Sequence, residues 1–131
     1  MIRNLNGQNS WATRAGQISS RLTSKEFFPK TIQTARDVAT SLRGLSTRGF
    51  QCHARKLRHF SQLKSLQNDE SLLALVSGTV CEAVQRVLGF ELFDEQLLAG
   101  AAVSMGATVE MQTGEGKTLA LAIPACYHAL T

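Results

Sequence analysis

The chain has 131 residues, enough for one ordinary domain, and with 44% hydrophobic and 18% charged residues it is not a wholly disordered chain. No continuous apolar run approaches the roughly 18 to 20 residues that span a bilayer, and the first residues lack an apolar stretch followed by a small-residue cleavage site, so a soluble or surface-associated protein is expected. Cys52, Cys81 and Cys126 are odd in number, far apart and without metal-ligand spacing, which argues against a disulfide scaffold or zinc site and points to a reducing cytoplasm. The net charge of +4 conceals a split. Residues 1–64 hold twelve of the fourteen Lys and Arg with only Glu26 and Asp37 among the acids, whereas residues 65–131 set Arg86 and Lys117 against eight acids. Such asymmetry suggests two functionally different parts.

Residues 1–31 are rich in Ser, Thr, Asn, Gln, Gly and Arg and show no sustained period, so they read as a basic, poorly ordered leader. The same composition suits an organelle transit peptide or a basic segment resting on anionic lipid. Residues 32–66 form a basic helical segment, weakened by Gly44 and Gly49 at about 1 kcal/mol each in a helix interior. Its Arg55-Lys56-Leu57-Arg58-His59 cluster has the charge to bind phosphate groups, and an ordinary solvated helix face has the same composition.

The remainder, residues 67–131, is more regular. Leu72, Leu73, Val76, Val80, Ala83, Val84 and Val87 recur at three- and four-residue steps, which predicts an amphipathic helix. Asn68 or Asp69 is expected to cap its start, Glu82 and Arg86 to pair across one turn, and Gly89 to end it in a left-handed conformation. A second, short helix is expected to start with Asp94 as its cap and to stop at Gly106. Thr108-Val109-Glu110-Met111 then alternate as a short strand. The last helix, from Lys117 to Leu130, carries Pro124, so a bend is expected there, with Leu119, Ile123, Tyr127 and Leu130 on its apolar face.

Between strand and last helix stands Thr113-Gly114-Glu115-Gly116-Lys117-Thr118. A phosphate chain is surrounded by backbone N–H groups only where the main chain comes closer than a Cβ permits, which is the use of Gly114 and Gly116. Lys117 supplies the cation, Thr118 the hydroxyl for a magnesium ion, and the helix start a positive dipole end. The strict phosphate-loop pattern has a further Gly where this chain has Met111.

With these residues in place, the stretch Phe93-Asp94-x-Gln96-Leu97-x-x-Gly100, then Glu110 to Leu119, then Ile123 to Leu130 resembles the first nucleotide-binding domain of SecA, the motor ATPase of bacterial preprotein secretion. The resemblance covers about Glu70 to Thr131. It implies an α/β P-loop fold of the RecA or helicase-like type, of which this chain is expected to hold a mainly α-helical part with one short strand before the loop. It further implies that Gln96, in a Q-type motif, hydrogen-bonds the adenine edge, and that Thr113, Gly114, Glu115, Gly116, Lys117 and Thr118 form the Walker A loop for ATP with Mg2+. By the same resemblance the partners are the Sec translocon channel and preproteins, with anionic phospholipid met by residues 1–64, no specific nucleic acid, and a place at the cytoplasmic face of the inner membrane. Glu91-Leu92 stand where the family usually has Arg-His, Glu95 replaces an apolar residue and Ala99 a Gly. With no acidic magnesium-holding strand, water-activating Glu or arginine finger in the sequence, the chain is expected to be an N-terminal fragment of a SecA-like motor, truncated just after the Walker A helix and without a complete catalytic set. The alternative is a non-catalytic relic or basic membrane- or partner-binding module with a residual P-loop.

Overall fold

The computed structural model describes residues 2–3, 27–63 and 70–131. Most of the segment read as a leader therefore lies outside the described residues, as do the expected cap at Asn68 or Asp69 and the boundary between residues 66 and 67. The chain is built of helices α1 (Phe27–Arg43), α2 (Thr47–Leu63), α3 (Glu70–Leu88) and α4 (Asp94–Ser104), then the phosphate-loop segment with α5 (Lys117–Ala120) and α6 (Ala122–Leu130). Among the described residues there are also two short strands, β1 (Ile2–Arg3) and β2 (Thr108–Val109).

Helix α3 is the centre. Leu72, Leu73, Val76, Val80 and Val84 are buried on it as their spacing predicts, and full burial of each such side chain is worth about 1.5–3 kcal/mol. Val87 continues the stripe in sequence yet is 80% exposed, because the helix has by then run past the elements that cover it. Helix α1 lies along α3 in the same direction, burying Thr31, Ala35, Ala39 and Leu42 at three- and four-residue steps. Contact is close at Gly78, where an added Cβ would sit 2.6 Å from the Ala35 carbonyl oxygen. Helix α2 also packs against α3, with His53 Nε2 3.0 Å from Thr79 Oγ1. Its start is capped by Ser46, whose Oγ accepts the Gly49 N–H at 3.2 Å.

By length and composition α3 is apolar enough to cross a membrane, and over half of its apolar stretch is buried inside this fold. A count of continuous apolar runs overlooks it, because its small and polar residues interrupt the run without breaking the helical stripe. The expected Glu82–Arg86 pair is present at 2.6 Å. The Arg86 guanidinium also donates to the Leu42 and Leu45 carbonyls, at 2.9 and 2.8 Å, and so closes the C-terminal end of α1, where a cation is favoured. Arg43 pairs with Glu91 and lies 4.0 Å from Glu82. Glu91 thus ties the α3–α4 connection to α1, and its neighbour Leu92 is a fully buried core residue.

Gly89 and Gly106 take positive φ at the ends of α3 and α4, as predicted. After α4 the Gly106 N–H donates to the Val103 carbonyl and the Ala107 N–H to the Ala102 carbonyl, the paired bonds of a Schellman stop. Two expectations are corrected. Asp94 does not cap α4: the cap position is Phe93, and the Asp94 carboxylate is drawn away by Arg36 at 2.6 Å. The strand before the loop is not alone either, since β2 pairs antiparallel with β1, Ile2 opposite Val109 and Arg3 opposite Thr108. A strand edge with free N–H and C=O groups is a template for any extended segment that reaches it, and here the first residues of the chain do.

The last helix breaks at Leu121, three residues before Pro124. Proline has no N–H for the Ala120 carbonyl, and its ring crowds that same carbonyl, so the disturbance falls one turn upstream of the proline itself. Ile123, Pro124 and Tyr127 are buried beyond the break, with Leu119 and Leu130 packed at the core's margin.

Candidate functional site

The site is assembled from the end of β2, the loop 110–116 and the start of α5, held against the N-terminal end of α4. Gly114 has φ 92° and Gly116 φ 77°, both left-handed, and Gly116 stands at the cap position of α5. An L-residue pays about 1–2 kcal/mol in that region, so the two glycines are what permit the chain to curl here. The curl leaves the N–H groups of Gly114, Gly116, Lys117 and Thr118 without an acceptor among the described residues. Unsatisfied amides converging on the first turn of a helix form an anion site by geometry and by dipole.

The loop is braced internally through Gln112. Its N–H donates to Glu115 Oε2 at 2.6 Å, and its carbonyl accepts the Lys117 ammonium at 2.7 Å and the Glu115 N–H at 3.3 Å. The Lys117 side chain therefore folds back over the loop. Thr118 is exposed, and its hydroxyl makes no hydrogen bond among the described residues. Thr113 is exposed at the turn, and Glu115 is spent on holding Gln112.

Gln96 is 7% exposed and bonded at both ends of its amide. The Phe93 N–H can only donate, so the oxygen faces it at 3.0 Å, and the nitrogen donates to the Glu115 carbonyl at 3.0 Å. Gln96 thereby joins the start of α4 to the loop, and it lies so near Gly116 that a Cβ there would overlap its Nε2.

Beside the loop is an open cavity of about 530 Å³, lined by Glu95, Leu98, Ala99, Glu110, Met111 and Glu115 among others. Three carboxylates, those of Glu95, Glu110 and Glu115, make its wall a poor place for phosphate. A smaller apolar cavity of about 160 Å³ borders the Lys117 stem, between Gly100, Val103, Met111 and Leu121.

The structure brings Gln96, Gly114, Glu115, Gly116, Lys117 and Thr118 to one end of the helical stack. It adds two groups that residue type did not single out: the Gln112 main chain, which anchors both Lys117 and Glu115, and Arg36, whose pair with Asp94 adjoins Gln96 through Phe93. No motif marks Gln112, because only its backbone acts. The Arg36 signal was equally unavailable, since 58 residues separate it from Asp94.

Comparison with known proteins gives first the class and then the family. Residues 15–131 match the SecA DEAD-like domain, which implies the P-loop, helicase-like class of fold. The protein translocase subunit SecA of Blochmanniella floridana is 44% identical over 70 residues, 53% of this chain and 8% of that protein. The SecA subunit of Heliobacterium modesticaldum is 48% identical over 69 residues, 50% of this chain and 8% of that protein. That of Tropheryma whipplei is 37% identical over 107 residues, 78% of this chain and 13% of that protein. The chain belongs to the SecA DEAD-like domain family, and it spans only about a tenth of the length of these curated relatives.

Proposed function

We propose that this chain supplies the phosphate-binding part of a SecA-type motor, taking the phosphates of ATP in the loop Thr113–Thr118. The observation that carries the reading is the set of four free amides on Gly114, Gly116, Lys117 and Thr118 with the Lys117 ammonium 2.7 Å from a carbonyl of the same loop. A phosphate oxygen competes for that ammonium with full negative charge, where Gln112 offers only a dipole. The Thr118 hydroxyl, exposed and without a hydrogen bond among the described residues, would serve as one ligand of a phosphate-bound Mg2+. When bound, Mg2+ would neutralise phosphate charge; what the chain itself does is hold and orient the anion. Gln96 fixes the loop at its base, and the spare lone pair and N–H of its amide are the groups that would meet an adenine edge.

Phosphoryl transfer needs, beyond this cradle, groups that orient the attacking water and stabilise the transferred charge. In this reading the chain serves a motor that couples ATP hydrolysis to preprotein movement through the Sec channel at the cytoplasmic face of the inner membrane. The basic half is proposed to meet anionic phospholipid. A second reading, a basic binding module with a residual loop, is favoured by one observation: Arg48, Arg55, Lys56 and Arg58 are all exposed on α2.

Titration of the full chain with ATP and Mg2+, followed calorimetrically, tests the first reading. Binding that falls more than tenfold in Lys117→Ala supports it. No binding at millimolar ATP, with liposome association that survives Lys117→Ala but is lost when Arg55, Lys56 and Arg58 are neutralised, moves the assignment to the second.

A further inference from the structure

One peptide group, between Leu92 and Phe93, is held on both sides. Its carbonyl accepts from Arg36 Nη2 at 2.7 Å, and its N–H donates to Gln96 Oε1 at 3.0 Å. The Gln96 amide in turn donates from Nε2 to the Glu115 carbonyl at 3.0 Å, and that carbonyl shares its peptide group with the N–H of Gly116, one of the four free amides of the loop. From the Arg36 guanidinium to Gly116 the chain therefore runs through three amide groups, each accepting on the side of Arg36 and donating on the side of the loop. Hydrogen bonds aligned in one sense polarise one another, and here a cation stands at the accepting end.

We propose that Arg36, on the basic first helix, is a positioning residue for the phosphate loop: through the Leu92–Phe93 peptide and Gln96 it fixes the Gly116 peptide and strengthens its N–H as an anion donor. The inference rests on the phosphate-binding reading of the loop. Arg36 suits the task because one guanidinium fork serves two acceptors, the Leu92 carbonyl at 2.7 Å and Asp94 Oδ1 at 2.6 and 3.1 Å. Asp94 holds the fork in place. The direct ion pair is worth little by itself, since the Asp94 side chain is 67% exposed. The arrangement gives α1 a role in nucleotide affinity although no residue of α1 lies in the loop. Coupling is reciprocal, so a partner that draws Arg36 away weakens phosphate binding, and bound phosphate holds Arg36 at Leu92.

The test uses the full chain and four variants: Arg36→Gln, Arg36→Lys, Gln96→Met and the double variant Arg36→Gln with Gln96→Met. Two readouts are taken, the dissociation constant for ATP with Mg2+ and the NMR resonance of the Gln96 side-chain amide without nucleotide. Arg36→Gln is expected to weaken ATP about fivefold and to move the Gln96 Nε2–H resonance upfield, with Arg36→Lys in between because an ammonium keeps charge but not the fork. In the Gln96→Met background the Arg36→Gln change is expected to have no further effect on affinity. An equal loss in both backgrounds, or an unmoved Gln96 resonance in Arg36→Gln, overturns the proposal. If the unaltered chain binds no ATP, the phosphate reading fails, and the Gln96 resonance alone decides whether Arg36 positions the loop.

Discussion

Gly100 faces Ala120 across the contact between α4 and the end of α5, so closely that a methyl group on Gly100 would sit 2.7 Å from the Ala120 carbonyl oxygen and 2.8 Å from Ile123 Cδ1. That carbonyl is the one Pro124 leaves without a helical donor. The break in the last helix and the absence of a side chain at Gly100 are thus two sides of one contact, and it sets how near the phosphate loop approaches α4.

Gly100→Ala is expected to destabilise the chain by about 1–3 kcal/mol, as overpacking does, despite the gain of about 1 kcal/mol in helix propensity. The backbone oxygen cannot yield without moving α5, so ATP affinity falls with stability. Urea unfolding and ATP titration check the pair of effects, and a variant as stable as the parent would show that the contact is looser than described.

Gly114 and Gly116 share a left-handed backbone but not their surroundings. A Cβ at Gly114 meets nothing within 4 Å, whereas one at Gly116 would overlap the Gln96 amide. Gly114→Ala is therefore expected to carry only the conformational strain of about 1–2 kcal/mol. Gly116→Ala adds the loss of the Gln96 bond to Glu115, so its ATP affinity should drop by at least a further tenfold. Equal losses in the two variants would argue against Gln96 as the loop's anchor.

Glu82 is 3% exposed and answers the Arg86 guanidinium that closes α1. Removing one member of a buried pair leaves the other charge uncompensated, typically at 3–5 kcal/mol. Because Arg86 is part-exposed and retains the Leu42 and Leu45 carbonyls, Glu82→Ala is expected at the lower end, about 3 kcal/mol, in chemical denaturation.

His53 joins α2 to α3 through Thr79. The Thr79 hydroxyl already donates to the Leu75 carbonyl at 2.7 Å, so it accepts from His53 and the proton stands on Nε2. Desolvation first, and the nearby Lys56 second, lower the His53 pKa from its ordinary 6.5. The folded state thus prefers the neutral ring, and the unfolded chain takes up the proton earlier as pH falls. Stability from this group is present above about pH 6.5 and is lost as pH drops from there toward the folded pKa. Melting curves between pH 5 and 8 should show that loss, and His53→Gln should flatten the His53 part of it.

The helical stripe Leu72–Val84, the glycine stops at Gly89 and Gly106 and the order strand, glycine turn, lysine, helix at 108–118 were all legible, because each depends on neighbours within about a turn. What depended on distant partners was not. Asp94 has the right type and place for a cap, and a guanidinium 58 residues upstream takes it instead. Val87 has the right spacing for the core and is exposed because nothing reaches it. The partner strand Ile2–Arg3 has too few residues to show any period.

By itself, then, the order of residues determined the local conformations and the chemistry on offer: left-handed turns where only glycine is comfortable, free amides at Gly114, Gly116, Lys117 and Thr118, a lysine to answer an anion, and a run of motifs specific enough to mark the SecA family. Tertiary structure decided which side chains hold those pieces at working distance, namely Gln96 against Glu115, Arg36 against Leu92 and Asp94, and Gly100 against Ala120. The reason is range. Backbone torsions and helical periods are set within a few residues, whereas a hydrogen bond or a close packing contact requires two surfaces to be brought within about 3–4 Å by everything that folds between them.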